Sequence, residues 1–213
     1  MKYLVSQLTK SGAELFQLCA MFALIEAALW TRGPMRGLFI TLIAIGCLIV
    51  LFSQGANQVG TDIGRRGAWN WTLKIAFTAS IIILAIGLAA GSLHKPTSRW
   101  PVAIGIIIYL FWAAVQQFVL QSFFFVRLQH LLGNARLTIV VCALLFSIAH
   151  LPSIILLVAT FFAALFFCES FRRYRTIYPI AVAHSMMALA LSAAVPEGLL
   201  RQMRVGATYL RFH

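Results

Sequence analysis

Seven apolar stretches constrain this chain more than any other feature, at about 13–30, 38–53, 71–93, 101–132, 137–150, 154–171 and 177–195. A bilayer-crossing helix needs about 20 mostly apolar residues. In hydrocarbon only a structure that satisfies its own backbone hydrogen bonds is stable, so runs of this length are helices. The chain of 213 residues is 62% hydrophobic and 10% charged, against roughly 25% charged in soluble domains. It cannot cover itself with polar groups in water. The expected fold is all-α: a polytopic transmembrane bundle of about seven spans.

The breaks are chemically legible. Gly33-Pro34 ends the first run, His94-Lys95-Pro96 the third and Gly133-Asn134 the fourth. The stretch 54–70 is polar, holds four glycines and reads as the longest loop. Trp30, Trp69, Trp71, Trp100, Tyr174 and Tyr178 fall near span ends, as an aromatic belt requires. Residues 1–11, with Tyr3, Leu4, Val5 and Leu8 between Lys2 and Lys10, read as a short interfacial helix rather than a signal peptide. The expected organisation is 1–100 for the interfacial helix and three spans, 101–195 for a four-span core, and 196–213 for a basic tail.

Seventeen Lys and Arg against five Asp and Glu give a formal charge of +12. The cations cluster between apolar runs, at Arg65-Arg66, at Lys95 and Arg99, and at Arg172, Arg173 and Arg175. That placement points to a bilayer with anionic headgroups and argues against nucleic acid. Counted over seven spans, ten of the cations lie on the side of the N-terminus and seven on the other. The excess places the N-terminus in the cytoplasm, in a multi-pass protein of a bacterial inner membrane. Cys19, Cys47, Cys142 and Cys168 sit singly in apolar runs and read as small buried residues.

Polar groups in hydrocarbon are costly, so their positions carry information. The fourth span holds Gln116, Gln117 and Gln121; the last two are four apart and share a helix face. Interhelical hydrogen bonding is one reading of these amides. A site is the other, because the fifth span ends in Phe146-Ser147-Ile148-Ala149-His150 and the seventh carries His184. Glu26 lies in the middle of the first span with no basic residue within a helical turn. At 1.5 Å per residue it lies ~20 Å from the span's start, with Gln116 and Gln117 ~17–18 Å and His150 ~20 Å deep. Glu26 could therefore reach the amides and imidazoles. Glu169 reads as an ion-pair partner of Arg172 and Arg173, Glu14 as the acid opening the first span, and Asp62 and Glu197 as solvated.

The glutamine run, the FxxxH from Phe146 to His150 and the late His184 occur in the order and spacing of three motifs. In this the chain resembles the CAAX-processing and bacteriocin-processing protease family, which includes the type II CAAX prenyl endopeptidases. The resemblance covers roughly 112–191 and is supported by His150-Leu151-Pro152 and by the basic connection 172–175. It implies a protease-like core and an intramembrane endopeptidase. The family's first motif is two glutamates, three residues and an arginine, which fall here on Gln116, Gln117 and Gln121. By the same resemblance His150 orients water or stabilises an oxyanion, and His184 matches the third-motif histidine, whose usual Asn or Asp is Ala188.

A glutamine cannot take a proton from water, and losing a general base costs about 10²- to 10⁴-fold in rate. All three positions becoming neutral amides keeps the helix insertable, since no unpaired charge remains. Hydrolysis is thus left open between two readings. In one, Glu26 is a relocated base assisted by His150 and His184, with Gln116, Gln117, Gln121 and Phe146 shaping the substrate site. In the other, the chain is a pseudoprotease that holds a partner membrane protein, a membrane peptide or a lipidated chain end. A small transporter using Glu26 and the histidines as relays ranks third, because no inverted repeat is visible. No cofactor is expected. A metal on His150, His184 and Glu26 is chemically conceivable, but no zinc-type motif supports it and none is expected.

Overall fold

The computed structural model describes residues 2–53, 60–63, 65–95 and 102–211, for 2–10 and 102 the backbone alone. Among these residues every regular element is helical, and one isolated bridge joins Thr61 to Thr176. The long helices are α1 (Lys2–Trp30), α2 (Pro34–Ser53), α3 (Arg66–Ala89), α4 (Val102–Gln117), α5 (Val126–Leu132), α6 (Ala135–Ile148), α7 (Ile154–Tyr174) and α8 (Tyr178–Ala194). A π-helical segment, Phe118–Phe125, joins α4 to α5 without a break. Two short helices follow, α9 (Glu197–Leu200) and α10 (Gly206–Tyr209), with a 3₁₀ turn at Arg201–Met203 between them.

Among the described residues five helices are long and apolar enough to cross a membrane: Ser11–Trp30, Pro34–Ser53, Arg66–Ala89, Ala103–Leu132 and Ile154–Tyr174. The chain is an integral membrane protein. The other two expected spans are shorter: α6 has 14 residues and α8 has 17, or ~21 and ~26 Å against a hydrocarbon core of about 30 Å. The apolar run 137–150 has the same length as α6, which is displaced two residues toward the N-terminus because Asn134 caps it. Shortness is tolerable for α8 because half of it is buried in protein: nine of its residues, from Pro179 to Ala194, are buried.

Several boundaries also move. Residues 2–11 do not form a separate interfacial helix but continue α1. Glu14 therefore stands inside a helix rather than at its start, and its carboxylate lies 3.6 Å from His130. The third helix begins at Arg66, five residues before the expected Trp71, because the polar stretch 66–70 can wind outside the hydrocarbon. Trp100 lies outside the described residues. Cys142 and Cys168 are buried, whereas Cys19 is exposed.

Local chemistry places the turns. Gly133 takes a left-handed φ of 61° to end α5, and Asn134 then caps α6 by accepting from the N–H of Arg136 (3.0 Å) and of Leu137 (3.1 Å). Gly60 and Arg65 dock on the α7–α8 connection: the Ile177 N–H donates to Gly60 O (3.0 Å) and Arg65 Nη1 to Tyr174 O (2.7 Å). Glu169 accepts from Arg172 and Arg173 as expected, and Asp62 accepts from Arg65 at 3.3 Å.

Small residues let α3 approach its neighbours. Its buried positions are Ala68, Thr72, Ala76, Ser80 and Gly87, and the Thr72 hydroxyl meets Ser170 Oγ of α7 at 2.7 Å. A Cβ on Gly87 would stand 2.7 Å from Ala194 Cβ and 2.8 Å from its Cα, inside the closest real contacts. Gly87→Leu is expected to push α3 off α8 and cost about 3 kcal/mol, read as a lower thermal midpoint in detergent.

Residues 196–211 fold back onto the bundle. Leu200 and Ala207 are buried, the Gly206 N–H donates to Leu151 O (2.7 Å), and Arg32 Nη2 donates to Ala207 O (2.9 Å). The basic tail is thus a wedge between the end of α1 and the turn that carries His150.

Candidate functional site

The fourth membrane-crossing helix changes winding where its glutamines stand. Val126 N–H donates to Gln121 O, five residues back, and every residue from Leu120 to Val126 is buried. A π turn inside an α-helix is uncommon and often marks a functional site. The apolar sequence around it carries no signal for this winding.

Gln117 and Gln121 are completely buried. Gln121 Nε2 donates to Gln117 Oε1 at 3.1 Å and also lies 3.7 Å from Cys168 Sγ. Gln117 Nε2 lies 3.1 Å from His184 Nδ1. Because Gln117 Oε1 is an acceptor in this chain, its Nε2 is the donor, and the His184 proton sits on Nε2. The amides of one helix therefore fix the tautomer of the imidazole on another. Cys142 of α6 touches the Cys168 thiol of α7, extending the polar chain to a fourth helix.

His150 reaches the same place from the end of α6. Its Nδ1–H donates to Phe146 O at 2.7 Å, which leaves the lone pair on Nε2. The Phe146 ring touches both imidazoles, with centroids 4.8 Å from His150 and 5.9 Å from His184. Phe167 lies 5.3 Å and Tyr109 6.3 Å from the His184 ring. Sequence reasoning overlooks these last two, since an aromatic residue in an apolar run reads as core. The cluster is thus one N–H donor on His184 and one basic nitrogen on His150, set in aromatic rings and neutral amides.

Gln121 Oε1 in this cluster lacks a partner, and so does the buried Gln116 Oε1 on the residue before Gln117. Buried unpaired acceptors are costly and are rare without a reason. Both could accept from a ligand's N–H or O–H.

Glu26 is placed differently. Its Oε2 accepts from Trp30 Nε1 of its own helix at 3.1 Å, and its Oε1 is buried without a partner. No hydrogen bond among the described residues joins it to Gln117, Gln121, His150 or His184. Nor do three His, Cys, Asp or Glu side chains gather into a metal-sized group among the described residues.

Residues 98–190 match the family model described as type II CAAX prenyl endopeptidase, Rce1-like. This segment resembles that family. It contains Gln116, Gln117, Gln121, Phe146, His150 and His184, whereas Glu26 lies outside it. No curated protein and no solved structure matches the chain. The Rce1-like segment carries the π turn and both histidines, so the polar cluster belongs to the part of the chain that the family model describes.

Proposed function

We propose that this protein is an intramembrane pseudoprotease of the Rce1-like kind, which holds a membrane-embedded or lipid-modified peptide without hydrolysing it. The observation that carries the reading is the composition of the hydrogen-bonded chain: Gln121, Gln117 and His184 are joined with no carboxylate among them. Peptide hydrolysis needs a base to activate water, and an amide has no such capacity. A binding site needs only shape and hydrogen-bonding groups, and the unpartnered Gln116 and Gln121 oxygens and the His184 Nε2–H supply acceptors and a donor. A peptide segment unwound from its helix offers the complementary N–H and C=O groups. The orientation with the N-terminus in the cytoplasm of a bacterial inner membrane belongs to the same reading and is supported by the Lys and Arg excess on that side.

The test is to incubate purified protein with a prenylated peptide carrying a photoreactive group, and to measure capture and cleavage separately. The expected result is capture with intact peptide recovered. Cleavage by the wild-type protein overturns the reading. Should cleavage occur, Glu26→Gln decides the relocated-base alternative: loss of about 10²-fold or more assigns the base to Glu26, and unchanged cleavage turns attention to His150 Nε2.

A further inference from the structure

The basic run that closes α7 is not chemically uniform. Arg172 and Arg173 share Glu169, with Nε–O distances of 2.7 and 2.6 Å. Arg65, docked beside them, pairs with Asp62 and with Tyr174 O. Arg175 differs from all three. Its Nη2 donates to Gln129 Oε1 at 2.5 Å, its guanidinium lies over the rings of Phe125 (5.7 Å) and Phe171 (5.3 Å), and no carboxylate among the described residues pairs with it. Burial alone pulls its guanidinium below its ordinary value, though it stays a cation.

The backbone adds a second oddity. Arg175 ends α7 with a left-handed φ of 49°. The corresponding position after α5 is Gly133, the residue such a cap ordinarily uses. A long side chain held in that conformation places its head over the two rings at some conformational cost, which is a pattern seen where the head has a task. The hydroxyl of the next residue, Thr176, is buried at the same corner and has no hydrogen-bond partner.

The corner stands at the membrane interface. It follows directly on a helix long enough to cross a membrane, Ile154–Tyr174. Aromatic side chains mark the level: Trp71 and Tyr174 rings lie 5.9 Å apart and Arg173 lies over Trp71 at 4.9 Å. A half-buried cation without a counter-charge is costly, and phosphate oxygens are the anions most concentrated at that depth. Guanidinium also matches phosphate geometry through paired N–H donors, several of which Arg175 has in reserve.

We propose that Arg175 is the centre of a specific interfacial site for the headgroup phosphate of an anionic phospholipid, with the Phe125 and Phe171 rings as its platform. The site, with its two rings 5.6 Å apart, shares no residue with the hydrogen-bonded chain of Gln121, Gln117 and His184, so it stands whether or not that cluster binds a peptide. It turns a diffuse expectation of basic belt and anionic lipid into a single residue.

The experiment uses the full chain in nanodiscs of phosphatidylcholine with or without phosphatidylglycerol, followed by mass spectrometry of retained lipid and by thermal melting. Wild-type protein is expected to retain phosphatidylglycerol and to melt higher with it. Arg175→Gln should lower that retention about tenfold, the effect of losing one charge-assisted pair, while Arg66→Gln, an exposed cation of the same belt, should change it less than about twofold, as a rim charge does. Equal losses in the two variants overturn the proposal in favour of a general basic surface, and so does unchanged retention in Arg175→Gln. Inorganic phosphate that raises the melting midpoint of the phosphatidylcholine sample as far as phosphatidylglycerol does overturns the lipid as the source of the anion. Where Arg175→Gln does not fold, Arg175→Lys is read instead: it keeps the charge and loses the fork, and retention equal to wild type then overturns the proposal.

Discussion

Gly206→Val is expected to leave little folded protein in the membrane fraction. Gly206 has a left-handed φ of 55°, which costs a residue with a Cβ roughly 1–2 kcal/mol. A Cβ there would also collide with the carbonyl of Leu29, whose carbon would lie 2.8 Å away. Leu29 O belongs to the backbone of α1, so relief requires moving a helix or expelling the tail. Expelling the tail breaks the Gly206 N–H bond to Leu151 and the Arg32 bond to Ala207, and exposes Leu200. The combined loss is about 4 kcal/mol or more, at the upper end for a single substitution. Gly198→Val is the control, because Gly198 has an ordinary φ and nothing within 4 Å of its would-be Cβ. If the two variants melt alike, the tail does not wedge α1 against the His150 turn.

Gln117→Leu removes the centre of the buried polar chain with little change of volume. It leaves His184 Nδ1 without its donor and Gln121 Nε2 with only the weak sulfur contact at 3.7 Å. Each buried polar group left unpaired costs about 1–3 kcal/mol, so the expected destabilisation is about 2–4 kcal/mol. Peptide capture should fall by about tenfold or more as well, since nothing then holds the His184 proton on Nε2. A cycle with His184→Phe separates the two effects. The double variant should be more stable than the sum of the singles by about 1 kcal/mol or more, because the same interaction is counted in both. Strict additivity would mean that Gln117 and His184 do not act together.

The architecture was largely readable in the residues. Leu, Ile, Val and Phe in long runs admit only helices in hydrocarbon, and Gly33-Pro34 and Gly133-Asn134 mark turns by their own backbone preferences. Gln117, Phe146, His150 and His184 stood out in the residues as polar or motif positions inside apolar runs, and the structure brings their side chains together. Other features depended on distant contacts. The π winding at Phe118–Phe125 leaves no trace in an apolar run. Glu26 lies at the right depth by rise per residue, yet its bonded oxygen goes to Trp30 on its own helix: depth along a helix says nothing about the direction in which a side chain leaves it. The tail, basic in sequence, was legible only as a headgroup contact, and its wedge depends on the carbonyls of Leu29 and Leu151.

The sequence by itself determined that this chain lives in a bilayer as helices, and that the polar groups in the middle of its fourth span, Gln116, Gln117 and Gln121, are neutral amides. Those are properties of composition and residue type, which no folding can alter. Only the tertiary structure decided that Gln117, Gln121 and His184 form one chain, that His150 and His184 share a phenylalanine ring, and that Arg175 alone of its run has no carboxylate partner among the described residues. Each of these is set by the angle at which a side chain leaves its helix and by what the neighbouring helix presents there, and hydropathy records neither.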